Sequence, residues 1–136
     1  MINKYCIANW KMNFNITQSQ EFIRKINKKN LLDIGKKIIL CPSFVSLFPT
    51  IEYNVNPLIS IGAQNLYFED SGAYTGEISP LMLRDVGCEW VMIGHSERRI
   101  HTLETNEMIN KKIISSSKHN LNIIFCVGES YEERRN

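Results

Sequence analysis

The chain has 136 residues, 43% apolar and 22% charged, with 16 basic against 14 acidic side chains and a net charge of +2. That length suits one domain with a core and not two, and no apolar run approaches the roughly 18 residues of a membrane span. The basic residues are scattered apart from a short patch at Arg24 to Lys29, which is no nucleic-acid footprint.

The amino terminus lacks the basic, apolar and small-residue layout of a signal peptide, so a cytoplasmic location is the default expectation. Tyr5 to Ala8 is the first strand-like run. Thr17 to Gln20 has the form of a capping box, after which Phe22, Ile23 and Ile26 repeat on one helical face. Lys37 to Cys41 is a second run, and Ser43 to Tyr53 is helical only if Pro49 can be accommodated. After a third run, Ile59 to Ala63, Ser79 and Pro80 make an N-cap with proline at the first helical position, and Leu83 with Val86 continues a stripe. Trp90 to Gly94 is the fourth run. Met108, Ile109 and Ile113 then mark a helix ending near 118–120, and Ile123 to Gly128 is the fifth run.

The runs are continuous rather than alternating, as strands buried on both faces read. Cys6, Cys41, Cys88 and Cys126 lie far apart, with no C-x-x-C pair and no histidine at zinc-ligand spacing. Buried thiols are expected rather than disulfides or metal ligands.

Strand and helix alternating along residues 1–136 imply a single α/β domain with a parallel sheet. Periodicity leaves two architectures open: an open sheet of flavodoxin-like order, or the first five units of a β/α barrel. Both bind ligands at the carboxyl ends of the strands. There stand Asn9 and Lys11, then Gln64 and Asn65, then His95 to Arg99, then Glu129 and Ser130. His95 sits where a buried run turns polar and could be a helix cap, a core residue or a catalyst.

The blocks "NWKMN" (9–13), "GAQN" (62–65), "GAYTGEIS" (72–79), "IGHSERR" (93–99), "ETNEMINKK" (104–112) and "CVGES" (126–130) resemble the triose-phosphate isomerase family in that family's order. The pairing of "IGHSERR" with "NWKMN" is the specific part. The resemblance implies a (β/α)8 TIM barrel, present here as an incomplete N-terminal part, because eight strands occupy about 250 residues. A sixth strand with the general-base glutamate, a lid loop and the phosphate-gripping loops would then lie outside the chain.

It further implies a cofactor-free and metal-free enzyme of glycolysis and gluconeogenesis. That enzyme interconverts dihydroxyacetone phosphate and D-glyceraldehyde 3-phosphate through an enediolate, in a mechanism that is itself a well-known case of pKa tuning. By the same likeness His95 is the electrophile, a neutral ring donating one N–H to substrate oxygens, with the cap role left to Ser96. Lys11 is the fixed positive charge that attracts the phosphate. Asn9 is a substrate-contacting amide or a turn former, and Glu97 tunes Lys11, shuttles protons or makes a structural salt bridge.

Arg99 and Glu129 are expected in structural ion pairs at the rim, and Arg98 braces the loop that contains Glu77. "GAYTGEIS" matches the family's dimer loop, whose tip, Tyr74-Thr75-Gly76, enters the partner of a full-length homodimer; as a surface turn it would need no partner. Two departures stand out: Asn13-Phe14-Asn15 where the family often has Asn-Gly, and Leu103 where an aromatic is common, which suggests repacking. A competing class is a non-catalytic half-barrel that associates through its edges or through the Tyr74 loop. Without base and lid, the 136 residues alone are expected to be inactive.

Overall fold

The computed structural model describes residues 4–29, 37–129 and 134–135. In chain order its elements are β1 (Tyr5–Asn9), α1 (Ile16–Asn27), β2 (Lys37–Cys41), α2 (Phe44–Tyr53), β3 (Ile59–Ala63), α3 (Pro80–Asp85), β4 (Trp90–Ile93), α4 (Ser96–His101), α5 (Asn106–Lys118) and β5 (Asn122–Phe125). The strands pair in parallel and in sequence order, β1-β2-β3-β4-β5. A flavodoxin-like sheet would put β1 between β2 and β3, so the open-sheet alternative falls.

Neighbouring strands lie about 4.8 Å apart, so a flat sheet would hold β1 and β4 roughly 14 Å from each other. Instead the Tyr5 and Trp90 ring centroids are 5.4 Å apart, and Asn9 Nδ2 reaches Met92 Sδ at 3.4 Å. The sheet curls into part of a barrel. Outside the curl, Ile23 of α1, Leu47 of α2, Leu83 of α3 and Ile109 of α5 pack onto Leu40, Ile61, Val91 and Ile93. Inside it, Ile39, Cys41 and Met92 pack with Trp90, Ile124 and Cys126. Burying each large aliphatic side chain stabilises the fold by about 1.5–3 kcal/mol.

Strands β2, β3 and β4 are buried on both faces, as continuous apolar runs predict. The edge strands β1 and β5 are not. Cys6 is accordingly exposed, contrary to expectation, because β1 lies at the edge of the sheet and among the described residues no element covers it there. All four cysteines are free. Burial pushes the Cys41 thiol up to about 12 and that of Cys88 up to about 11, which makes both poor nucleophiles at neutral pH.

The capping box of α1 lies two residues before the expected one. Asn15 Oδ1 accepts from Gln18 N at 2.9 Å, and Gln18 Oε1 accepts from Asn15 N at 3.0 Å. Phe14, at φ 66, turns the chain so that Asn15 enters the helix extended, leaving Thr17 already inside it. Ser79 caps α3 through Met82 N with Pro80 behind it, as expected. Pro49 sits inside α2.

Candidate active site at the carboxyl ends of the strands

Beyond β1 the chain makes a tight turn that aims Lys11 over the strand ends. Asn9 Oδ1 accepts from Lys11 N at 2.9 Å, and Gln64 Nε2 donates to Lys11 O and to Cys41 O, both at 2.9 Å. Lys11 has φ 55, a left-handed conformation that costs a residue with a Cβ roughly 1–2 kcal/mol. The two amide side chains offset that strain. Buried Trp10 anchors the turn between the Phe14 and Phe22 rings, with centroids 5.0 and 5.2 Å away.

At the end of β4, Gly94 adopts φ 76. A Cβ there would lie 3.2 Å from Arg99 Nη2 and 3.3 Å from Cys126 O. The turn delivers His95 as the N-cap of α4, its Nδ1 facing Glu97 N at 3.3 Å. His95 therefore takes the cap role expected of Ser96, which instead begins the helix. A backbone N–H can only donate, so Nδ1 offers its lone pair and the ring proton sits on Nε2. Glu97 Oε2, 3.6 Å from Nδ1, lies beyond hydrogen-bond range.

Lys11 Nζ stands 2.7 Å from Glu97 Oε1, with the two side chains 51% and 46% exposed. The hydrogen bond from Lys11 holds the Glu97 carboxyl below the usual carboxylate range. Burial opposes this, while the charge of Lys11 adds to it. Lys11, Glu97 and His95 line one cleft of about 340 Å³, together with Asn9, Gln64 and Asn65. That volume suits a small ligand. Asn9 lines the cleft, and its oxygen is already engaged in the Lys11 turn.

A buried charge cluster backs the site, and sequence reasoning missed it. Lys112 Nζ donates to Asn65 Oδ1 at 2.7 Å and to Glu104 Oε1. Arg98 Nε lies 3.3 Å from the same Glu104 oxygen. Glu104 and Lys112 are only 4% and 1% exposed. Burial pushes the Glu104 carboxyl up, but the two cations outweigh it and hold it below its usual value. At Lys112 burial wins, lowering the ammonium despite Glu104 and Glu77, with the Arg98 charge adding to the fall. The cluster ties α5 to Asn65 on one side and to α4 on the other, the two segments that flank the cleft.

Among the described residues the ion pair of Arg98 is therefore with Glu104, not with Glu77. Among the described residues Arg99 donates to Gly94 O at 2.9 Å and to Asn106 Oδ1 at 2.7 Å, and to no carboxylate. Glu129 does pair, with Arg134 at 3.7 Å, both well exposed. Such a surface pair is worth little. Tyr74, Thr75 and Gly76 lie on an exposed loop, with Gly76 at φ 89 and Glu77 N donating to Tyr74 O at 3.0 Å.

A family model described as triosephosphate isomerase matches residues 4–136. The chain belongs to the triosephosphate isomerase family. Proteins named triosephosphate isomerase from Dictyoglomus thermophilum and Dictyoglomus turgidum are 48% and 46% identical to it over 134 residues, which is 98% of this chain and 54% of each relative. One from Thermodesulfovibrio yellowstonii is 40% identical over 136 residues, 100% of this chain and 55% of the relative. The chain spans about half the length of the curated relatives it matches.

The two positions expected to depart from the family pattern now have a structural reading. Phe14 occupies a positive-φ site, a backbone that glycine adopts without strain, and its ring compensates by packing on Trp10. Leu103, also at positive φ, is 77% exposed, so the expected repacking around it is not found.

Proposed function

We propose that this chain supplies the substrate-polarising part of a triosephosphate isomerase site, acting on dihydroxyacetone phosphate and D-glyceraldehyde 3-phosphate. The observation that carries the reading is the shared cleft. The Lys11 ammonium and the His95 ring open into it from the loops that follow β1 and β4. Lys11 attracts the phosphate and offsets negative charge developing on the substrate oxygens. His95, its proton on Nε2, donates to the carbonyl oxygen as the enediolate forms. Glu97 fixes Lys11.

Isomerisation also needs a base for a carbon-bound proton. Glu97 is a weak candidate, because its bond to Lys11 favours the ionised form and so lowers its basicity. By likeness to the family we assign the base and the lid that shields the enediolate to other segments of the full-length protein, and residues 1–136 alone are expected not to turn over substrate. The full-length protein is a cytoplasmic homodimer whose Tyr74-Thr75-Gly76 loop enters the partner.

The test is an isomerisation assay on the full-length protein and on residues 1–136. Turnover in the first and none in the second supports the reading. Absence from both favours a non-catalytic half-barrel that associates through the open β1 edge, where Tyr5 and Ile7 are exposed. Turnover by residues 1–136 overturns the assignment of the base.

A further inference from the structure

The segment between β3 and α3 projects from the body of the fold, with residues 71–77 all exposed. Its own contacts give it shape. Tyr67 N donates to Ile78 O at 2.8 Å across its base, and the Tyr67 ring packs on Phe68 and Tyr74 with centroids 4.2 and 4.6 Å away. None of these contacts fixes the angle of the loop to the rest of the molecule.

Helix α5 does. Asp70 Oδ1 lies 2.6 Å from His119 Nε2, and Asp70 Oδ2 lies 3.4 Å from Lys118 Nζ. Lys111 Nζ stands 5.0 Å from the Phe68 ring centroid. The His119 side chain is 12% exposed, so the bond at its ring is shielded from water. An ionised carboxylate only accepts, so Nε2 carries a proton and donates whether the ring is neutral or charged. Lys118 ends the 13-residue helix and His119 caps it, where the partial negative charge of the carbonyls favours cations. A lone carboxylate would be repelled there. Asp70 keeps its position because both partners stand between it and the helix end.

We infer that the Asp70–His119 bridge is a positioning contact, setting the angle at which Tyr74-Thr75-Gly76 is offered to a second copy of this chain. The docking partner rests on the dimer reading proposed above; the anchor itself does not.

The test measures hydrogen exchange at loop amides 66–78 in the full-length wild type and in His119→Ala and His119→Gln, with sedimentation of the same proteins. His119→Ala should speed loop exchange about ten- to a hundredfold and weaken self-association by a similar factor, as loss of one charge-assisted hydrogen bond requires. The His119→Gln amide can donate from nearly the same place and should restore both, with strand amides unchanged throughout. Unaltered loop exchange in His119→Ala overturns the inference. So does a glutamine variant as loose as alanine, or a loosened loop with unchanged association. A wild type that stays monomeric at every concentration sinks the dimer reading alone, since loop exchange still decides the anchor.

Discussion

Lys11 and Glu97 join the end of β1 to the first turn of α4, with Nζ and Oε1 2.7 Å apart. Their pairing makes the cleft one electrostatic unit rather than a set of separate rims. Its pH dependence has a definite sign. The Glu97 carboxyl is held below its ordinary value of 4.5, so the stabilisation is fully present above that value and is lost as pH falls through the lower folded one. Both groups are half exposed, so the contribution is small. Carboxyl carbon NMR should find Glu97 titrating below 4.5 in the wild type and moving up toward it in Lys11→Met. An unmoved midpoint in Lys11→Met would show that the pair does not form in solution.

The buried cluster behind the cleft governs stability instead. Lys112→Met removes one of the two cations that neutralise buried Glu104, and breaking a buried ion pair from one side typically costs about 3–5 kcal/mol. Urea denaturation of the variant should show a loss of that size. A loss below about 1 kcal/mol would contradict the cluster's role, being no larger than an exposed pair gives.

Leu103 offers the opposite case. Its φ of 53 strains a side chain that is 77% exposed and has little packing to lose. Leu103→Asn, which tolerates left-handed backbone, should raise stability by about 0.5–1 kcal/mol. Thermal unfolding would register this as a midpoint higher by a few degrees. An unchanged or lower midpoint would mean that Leu103 makes a contact in solution worth more than its strain.

These cases show what a sequence discloses and what it withholds. The apolar runs of β2, β3 and β4 were legible because burial on both faces favours apolar residues almost throughout, buried Ser60 of β3 being an exception. The Ser79-Pro80 cap was legible because both residues act locally. The true start of α1 was not, since the left-handed turn at Phe14 carries no glycine to announce it. His95 as a cap was hidden because imidazole is a rare cap and Ser96 beside it a common one. The Glu104–Lys112–Asn65 link spans 47 residues between Lys112 and Asn65, and no local period encodes it. Cys6 misled because a run of apolar residues does not say which strand lies at an edge.

The site's central claim is that Lys11 and His95 act together on one bound triose phosphate. The most direct test is deuterium uptake from heavy water into dihydroxyacetone phosphate, catalysed by the full-length protein. Rapid uptake by the wild type, reduced at least about 100-fold in both Lys11→Met and His95→Gln, is the predicted result. Uptake at the wild-type rate in either variant would contradict it.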